Sequence, residues 1–326
     1  MAEQRGIAGV QTAELVDIDL RSRGADYTPR GLARACVEAT IRLGCHSAGW
    51  STPGRDVDHA VLASDAYPDL FRAVSDDRPF RVLDVCAGAG VYASELRRHW
   101  VHRLGLPSQW LHITAVEIHR AELEHLERWA DDVILGDYRE ALVEDCPDCG
   151  GTGVAPHGDS LAPCLHCEST GGVRRLYDLA LGNPDFQLLR AETLRRPSAG
   201  RRGIYDVETS MVARLLDVAP VVGLLHTQQA WTKDGPGLAV RRAYRPIAEY
   251  DVPGAIRFRA RGTRSPKTGK PYGTDQRSYT WSIWHANYVG EETRSRLLPM
   301  AHDGLSWAGK DRPGTERDPG LAEVRR

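Results

Sequence analysis

Four cysteines are the most closely grouped reactive side chains of this sequence, and they form two C-x-x-C pairs. Cys146 and Cys149 form the first pair, and Cys164 and Cys167 form the second, with 14 residues between the pairs. Each pair can hold two thiolates on one side of a metal ion, and the two pairs together complete a tetrahedron. Four protein ligands leave no coordination position for a reactant. The spacing therefore predicts a structural zinc ion bound by these four cysteines.

A second group of chemically useful residues, Asn183-Pro184-Asp185-Phe186, follows the apolar run 177–181. An amino group on an aromatic base is a poor nucleophile, because its lone pair is delocalised into the ring. Two acceptors that bind its hydrogens, the Asn183 side-chain carbonyl and the Pro184 backbone carbonyl, would favour a more tetrahedral nitrogen. The ring of Phe186 would stack on a base that has been flipped out of a helix. The segment therefore predicts catalysis by positioning and electrostatics, without a covalent intermediate.

A glycine-rich turn from Asp84 through Gly88 to Gly90 follows an apolar strand and precedes a helix. Glycine lets a backbone turn sharply and approach a ligand closely, and the helix start supplies unpaired N–H groups. The complete G-x-G-x-x-G spacing of dinucleotide-binding turns is absent. Glu117 ends the next strand, where a carboxylate can accept both hydroxyls of a ribose. Asp137 follows the third strand, where it could accept a hydrogen bond from an adenine amino group.

The order of these residues resembles the cofactor-binding half of Rossmann-like methyltransferases that use S-adenosylmethionine (SAM). By that resemblance, the glycine turn contacts the methionine part of SAM, Glu117 holds its ribose and Asp137 its adenine. Upstream, Tyr27-Thr28-Pro29 resembles the Y-T-P element that amino-directed DNA methylases place before their glycine turn, although a helix-start turn is an equally good interpretation of those three residues alone. The cofactor-binding residues implied by the resemblance are Tyr27, Thr28, Pro29, Asp84, Cys86, Ala87, Gly88, Gly90, Glu117, Ile118, Asp137, Tyr138 and Asn183.

The second segment resembles the N-P-P-F/Y motif of N6-adenine DNA methyltransferases. This implies that Asn183, Pro184, Asp185 and Phe186 are catalytic. The segment departs from the motif at Asp185, where a second proline is usual. Asp185 could take up a proton, or it could mark altered specificity or weak activity. No Pro-Cys pair follows this strand, which removes the nucleophile expected of a cytosine-C5 methylase.

The cysteines lie in a segment, 146–172, that is rich in Gly, Cys, Pro and Ser and poor in core-forming side chains. Its glycine-rich flanks resemble the zinc modules of J-domain chaperones, which implies a small two-turn knuckle folded by its metal. His157 and His166 are spare ligands by residue type, although surface positions are favoured for both. Because the segment falls between the third and fourth predicted strands, we expect it beside the active-site edge, where it could contact DNA or a partner protein.

A basic segment near the C-terminus contains a single acid, Asp275, and is interleaved with glycines, prolines and a tyrosine. Such a segment suits contact with phosphates, and a solvated hairpin loop is the competing interpretation. A smaller basic group occupies 195–202. The residues that we expect to contact nucleic acid are Arg257, Arg259, Arg261, Arg264, Lys267, Lys270 and Arg277.

The elements that must position these residues alternate between strands and helices. Apolar runs predict strands at 80–85, 111–118, 133–135, 177–181, 221–227, 255–260 and 278–284, and helices at 31–43, 91–100, 120–129 and 207–217. The alternation predicts an α/β fold, and the resemblance makes it a Rossmann-like SAM-dependent methyltransferase sheet with helices on both faces. We expect a methyltransferase domain at 1–145 and 173–300, a zinc-knuckle insertion at 146–172 and a flexible tail at 301–326.

Composition limits the remaining choices. The chain has 326 residues, 41% hydrophobic and 26% charged, and a formal net charge of -2. Positive charge for nucleic acid must therefore be concentrated on one face. No apolar run approaches the roughly 20 residues of a membrane helix, and the first residues lack the apolar segment of a secretory signal. We expect a cytoplasmic protein with no membrane contact and reduced cysteines.

Together these patterns predict an enzyme that transfers a methyl group from SAM to the N6 amine of adenine in double-stranded DNA, with the base flipped into the pocket. The N4 amine of cytosine is a close variant, since the same two acceptors would bind either amine. Methylation of RNA, or of a glutamine amide in a protein, is an alternative, because those families also use the N-P-P-F/Y motif. A third interpretation is a catalytically silent module that binds DNA or protein through its zinc knuckle.

Overall fold

The computed structural model describes residues 28–45, 74, 77–157, 160–184, 186–190, 192–194, 204–228, 235–253, 278–286, 288 and 293–298. The strands within these residues are β1 (Phe80–Val85), β2 (Leu111–Glu117), β3 (Asp132–Leu135), β4 (Val143–Asp145), β5 (Val154–His157), β6 (Ser160–Pro163), β7 (Gly172–Arg174), β8 (Leu179–Gly182), β9 (Glu192–Leu194), β10 (Ile204–Asp206), β11 (Val221–Thr227), β12 (Ala248–Asp251), β13 (Tyr279–His285) and β14 (Arg294–Leu297). The α-helices are α1 (Arg30–Thr40), α2 (Val91–Arg98), α3 (Leu123–Leu126), α4 (Met211–Leu216) and α5 (Gly235–Ala243). Single π-helical turns, Ile41–Cys45 and His99–Arg103, continue α1 and α2.

Eight strands form one sheet in the order β14-β12-β13-β11-β8-β1-β2-β3. β3, β2, β1, β8 and β11 run parallel to one another, and β13 runs antiparallel between β11 and β12. β8 and β11 are buried at every position. Their nearly continuous apolar sequences follow from that burial, since a parallel strand in the middle of such a sheet is covered on both faces.

Helices cover the two faces of the sheet. On one face α1, α2 and α3 pack through Leu32, Leu96 and Leu126. On the other, α4 and α5 pack through Met211 and Val240. This arrangement confirms the expected α/β class, a Rossmann-like sheet with helices on both faces.

The strand order changes direction at β1, because β2 and β3 lie on one side of it and β8 and β11 on the other. In open α/β sheets, ligands bind beyond the carboxyl ends of the strands at such a point. The glycine turn follows β1, Glu117 ends β2 and Asn183 follows β8. The fold therefore brings these groups to one side of the sheet, here called the carboxyl edge. The opposite side is the amino edge.

Several elements differ from the sequence prediction. The helix expected at 120–129 is a short 3-10 turn followed by the four-residue α3. The carbonyl of Leu126 accepts hydrogen bonds from both Trp129 and Ala130, which ends the helix in time for β3 to begin. The helix α5 and the strands β12 and β14 are not predicted from the sequence, and the strand predicted at 255–260 lies outside the described residues.

The cysteine insertion stands on a stalk in which β4 pairs antiparallel with β7, and it carries the β5–β6 hairpin. The chain between this stalk and β8 contacts the amino ends of strands. Asp178 donates its N–H to the carbonyl of Arg81 at the start of β1, and Tyr177 donates to Val218, which precedes β11. Arg174, at the end of β7, also faces Asp217 beyond α4, with 3.9 Å between Nη1 and Oδ1.

The base of the insertion therefore lies toward the amino edge, and the expectation that it lies beside the active-site edge is wrong. The reason is the path of the chain after β3. A 3-10 helix, Tyr138–Leu142, begins beyond the carboxyl end of β3 and crosses the face of the sheet before the stalk starts. The position of an insertion between two strands in the sequence does not reveal at which edge of the sheet the insertion lies. The predicted domain boundaries stay predictions.

Among the residues that the structure describes, no helix combines the length and the apolar character needed to span a bilayer.

Candidate active site

Asp84 is a buried carboxylate at the end of β1, only 1% exposed. Its Oδ2 accepts a hydrogen bond from the backbone N–H of Ala93 at 3.1 Å. Its Oδ1 is also buried and has no hydrogen-bond partner among the described residues. Burial raises the pKa of Asp84 well above its ordinary range, and the nearby charge of Glu117 acts in the same direction. One oxygen of a buried acid is thus left to accept a hydrogen bond from a ligand.

The glycine turn is tied to the neighbouring strand. The N–H of Ala87 donates to the carbonyl of Val116 in β2 at 2.9 Å. Gly90, the residue before α2, has a φ of +75°, and a Cβ there would lie 3.2 Å from the Cδ2 of Leu126. Glycine satisfies both the backbone conformation and the limited space. Cys86 has a φ of 54°, so the turn leaves the strand in a conformation that L residues seldom adopt.

Glu117 closes the other side of the turn. Its Oε2 accepts the N–H of Gly88 at 2.8 Å, and its Oε1 accepts the N–H of His119 at 3.0 Å. Burial raises the pKa of Glu117, while these two hydrogen bonds favour the ionised form. The backbone N–H of Ile118 also acts on this carboxylate, and a carboxylate has about four acceptor positions, so part of this capacity remains for ligand hydroxyls. Ile118, the next residue, is apolar and 53% exposed at the same edge.

Asn183 and Thr28 meet although they are 155 residues apart: Asn183 Nδ2 donates to Thr28 Oγ1 at 3.2 Å. Thr28 and Pro29 are buried, as is Pro184. The structure thus joins the predicted Y-T-P element to the predicted catalytic segment. With its amide nitrogen engaged, Asn183 has its side-chain oxygen left to accept a hydrogen bond from a substrate amine.

Gly182 permits this arrangement. A Cβ at this position would lie 2.3 Å from the backbone oxygen of Val85. Any larger residue would therefore push β8 away from β1 and carry Asn183 away from the glycine turn. The sequence signal was present, since a glycine directly before the catalytic segment often marks a close approach of two backbones.

Asp137 is engaged locally. Its Oδ1 and Oδ2 accept hydrogen bonds at 2.8 Å from Nε and Nη2 of Arg139, and Oδ1 also accepts the Arg139 N–H at 2.9 Å. These contacts lower the pKa of Asp137 and keep it ionised. The role predicted for Asp137, binding of an adenine amino group, would need lone pairs beyond those that face Arg139. Tyr138 is buried against the sheet.

The remaining predicted site residues are not all described. Tyr27, Asp185 and the seven basic residues between 257 and 277 lie outside the described residues, as does the tail 301–326. Phe186 begins a 3-10 helix, Phe186–Leu189. Two groups that the sequence does not predict are the backbone N–H groups of Ala93 and His119, which hold Asp84 and Glu117 in place. Such backbone donors cannot be predicted from residue type, because every residue except proline has a backbone N–H group.

The four insertion cysteines form a cluster in which all sulfur atoms lie within 4.8 Å of one another. The Sγ atoms of Cys146 and Cys164 are 3.7 Å apart, as are those of Cys149 and Cys167. A zinc ion with four sulfur ligands at about 2.3 Å has tetrahedral sulfur–sulfur separations of about 3.8 Å. The donor set and its spacing therefore fit a zinc ion.

The two halves of the insertion repeat each other at an offset of 18 residues. The N–H of Cys164 donates to the carbonyl of Gly153 at 2.9 Å, and that of Cys146 donates to Gly171 at 2.8 Å. In both halves a glycine N–H also donates to a sulfur at 3.3 Å: Gly153 to Cys149, and Gly171 to Cys167. His166 pairs with Asp148, with 3.0 Å between Nδ1 and Oδ2, and so lies outside the sulfur cluster.

Comparisons with known proteins give fold-level likenesses only. The sequence matches no protein-family model and no curated protein. A putative class I SAM-dependent methyltransferase from Listeria monocytogenes is 9% identical, with a TM-score of 0.44 over 95% of this chain and 73% of that one. The modification subunit of a putative type I restriction enzyme from Vibrio vulnificus is 12% identical, with a TM-score of 0.42 over 86% of this chain and 51% of that one. A putative RNA methyltransferase from Pyrococcus horikoshii is 12% identical, with a TM-score of 0.34 over 66% and 76%. Identities of this size carry no information on substrate.

Proposed function

We propose that this chain is a SAM-dependent methyltransferase that methylates an exocyclic amine of a base in DNA, adenine N6 being the favoured target. One observation carries the proposal: Asn183 reaches Thr28 at the carboxyl edge where Glu117 reaches the glycine turn. The side-chain oxygen that we propose to bind the amine follows β8, and the carboxylate that we propose to bind the nucleoside ends β2, so the two lie on either side of β1.

The residues present fit SAM. Asp84 offers a buried acceptor oxygen without a partner among the described residues, and Glu117 retains acceptor positions for ribose hydroxyls. The exposed Ile118 offers an apolar surface to an adenine ring. When bound, SAM supplies a methyl group that is electrophilic because it is attached to a positively charged sulfur.

The protein's own contribution is to bind and orient the amine. The side-chain oxygen of Asn183 and the carbonyl of Pro184 accept its two hydrogens, and Phe186 stacks on the flipped base. Methylation leaves a proton to be lost from the nitrogen. Asp185 is the ionisable residue of the motif and would accept that proton directly or through water.

The charge distribution supports a nucleic acid over a protein as the substrate. The segment 254–277 contains all seven predicted phosphate-binding residues. Both strands next to it approach the carboxyl edge, since β12 ends there at Asp251, β13 starts there at Tyr279, and Gln228 donates its N–H to Ser278 just beyond β11. The cysteine insertion, in contrast, has no Lys or Arg between residues 146 and 172 and contains three acids. We therefore assign phosphate contact to the basic segment and not to the insertion.

The test is mass spectrometry of nucleosides from duplex DNA incubated with the protein and SAM. We expect N6-methyladenine, and Asn183→Ala should lower its formation roughly a hundredfold or more with little loss of SAM affinity, because a preorganised polar contact to the reacting group is lost. Gln109→Ala, which removes an exposed side-chain amide before β2, is the matched control.

Each other outcome has a distinct meaning. Methylated RNA without methylated DNA would change the substrate class. A loss of SAM affinity in Asn183→Ala as large as the loss of transfer would mean that Asn183 binds the cofactor and not the amine. No transfer to DNA, RNA or protein by wild-type protein that binds SAM would reject an enzymatic role.

A further inference from the structure

Glu95 is a buried carboxylate that takes no part in the chemistry described above. It lies in the second turn of α2, and its side chain is 1% exposed. Its Oε1 accepts a hydrogen bond from the Nε of Arg30, and its Oε2 accepts one from the Nε of Arg34 at 3.1 Å. Both arginines belong to α1. A single carboxylate therefore ties α1 to α2 through two charged hydrogen bonds.

The two helices that Glu95 joins both begin at the candidate active site. α1 begins at Arg30, directly after Thr28 and Pro29, and Thr28 accepts the hydrogen bond from Asn183. α2 begins directly after Gly90, the last residue of the glycine turn. Glu95 thus connects the amine-binding side of the site to the cofactor-binding side.

The other end of α1 is fixed independently. Thr40, the last residue of α1, accepts a hydrogen bond from Nε1 of Trp281 at 2.9 Å. Its own hydroxyl donates to the carbonyl of Cys36 at 2.8 Å. Loss of the Glu95 contacts would therefore release the start of α1, next to Thr28, while its end stays attached to β13.

We propose that Glu95 is a positioning residue that sets the distance between the glycine turn and the Thr28–Asn183 pair. A carboxylate paired with guanidinium groups fixes separation and angle together. The burial of Glu95 keeps water from replacing it, and Arg30 Nη2 is itself buried with no partner among the described residues. Methyl transfer is sensitive to such alignment, because a shift of about 1 Å can cost roughly a hundredfold in rate. The expected effect on methyl transfer rests on the proposed function, whereas the link that Glu95 makes between α1 and α2 does not.

The first test measures hydrogen–deuterium exchange in the free protein by mass spectrometry. Glu95→Gln should speed exchange in the peptides that contain Thr28–Pro29 and Asn183–Pro184. The matched control is Glu124→Gln, since Glu124 forms an exposed pair with Arg128 at 2.7 Å and its side chain is 81% exposed. Unchanged exchange in both peptides of Glu95→Gln would overturn the proposal, whatever the protein's activity.

The second test is a double-mutant cycle on kcat. If Glu95 acts through Thr28, then Glu95→Gln and Thr28→Val should each lower kcat roughly 10- to 100-fold, and the double variant should be no slower than the slower single variant. The Kd for SAM should change less than about threefold in Glu95→Gln, a split that general destabilisation would not produce. Multiplying effects would overturn the proposal.

The two proposals fail separately. If the wild-type protein transfers no methyl group, the proposed function is rejected, and the exchange measurement still decides the role of Glu95. If Glu95→Gln does not fold, Arg34→Gln removes the partner whose side chain is 52% exposed, and it should show the same pattern with a smaller effect.

Discussion

The carboxyl edge and the cysteine insertion contain the two predicted sites of this chain, and they are assembled in opposite ways. At the carboxyl edge the contacts join distant residues, such as Asn183 with Thr28 and Gly88 with Glu117. In the insertion all the ligands fall within 22 residues, and the buried cluster consists of Cys146, Cys164 and Cys167 packed against Cys149 and Val173. The first site lies at the edge of a sheet whose two faces are covered by apolar clusters, whereas the buried cluster of the second, among its described residues, is almost entirely cysteine.

Metal removal should separate the two regions most strongly. Structural zinc contributes about 10–16 kcal/mol to the folding of small zinc modules, and the buried cluster of the insertion, among its described residues, is almost entirely cysteine. We expect a strong chelator, or Cys164→Ser, to make amide exchange fast throughout 146–172. SAM affinity should change less than about threefold, because the base of the insertion lies toward the amino edge.

Cys36→Ser is the control for the cysteine substitution, since this buried thiol belongs to α1 and not to the cluster. A fall in SAM affinity that tracks zinc loss, measured by titration calorimetry, would show that the insertion and the carboxyl edge are coupled. The contrast between the two regions would then be wrong.

Gly182→Ala should disturb the carboxyl edge and leave the cysteine insertion unchanged. Its Cβ would meet the Val85 oxygen at 2.3 Å, so β8 and β1 must separate or the backbone must distort. We expect a loss of about 1–3 kcal/mol in the free energy of unfolding, the usual cost of overpacking, with lower SAM affinity and an intact zinc site. Chemical denaturation and zinc content by atomic absorption measure the two regions separately.

The control for this prediction is Gly105→Ala. Gly105 has a φ of +67°, but a Cβ there would meet no described atom within 4 Å, so that variant should lose only about 1 kcal/mol, the cost of the left-handed backbone. Equal losses in the two variants would mean that the close approach of β8 to β1 is unimportant.

The sequence predicts the two sites to different extents, because one is built from residues close in sequence and the other from distant residues. The cysteine cluster of the insertion could be predicted from spacing, because the residues of two C-x-x-C pairs are close in sequence. The groups at the carboxyl edge could be predicted as strand-end residues, and β1 and β11 have the predicted limits. The route of the chain through Tyr138–Leu142 could not be predicted, so the insertion was expected at the wrong edge.

Two charged residues show what residue type alone does not reveal. Glu95 stands between Ser94 and Leu96 in a helix and suggests a solvated position, but the packing of α1 against α2 buries it. For Asp137, residue type does not reveal that both oxygens accept hydrogen bonds from Arg139, two residues away, and its role in binding adenine stays a prediction. Both carboxylates pair with arginine side chains, through tertiary contacts between helices for Glu95 and within a single turn for Asp137. Neither pairing produces a periodic pattern in the sequence.

The smallest expected effect concerns Asp84, and it sharpens the contrast between the predicted cofactor site at the carboxyl edge and the predicted zinc site of the insertion. Because burial raises its pKa, folded protein binds more protons at Asp84 than unfolded protein does. The free energy of unfolding therefore falls as pH rises from the ordinary range of an aspartate to the raised pKa, by about 1.4 kcal/mol for each unit of elevation. At neutral pH the free energy of unfolding of the cofactor-free protein is therefore lowered by all or part of this amount.

Asp84→Asn removes the charge but keeps an oxygen for the N–H of Ala93. We expect the cofactor-free variant to have an equal or higher Tm at pH 7, a flatter dependence of Tm on pH above the ordinary aspartate range, and weaker SAM binding. Asp132→Asn, at a side chain that is 57% exposed beside His112, is the control and should leave SAM affinity unchanged. A Tm at pH 7 well below that of the wild type would instead mean that the Asp84 carboxylate stabilises the free protein, so that its unpartnered oxygen is not reserved for a ligand.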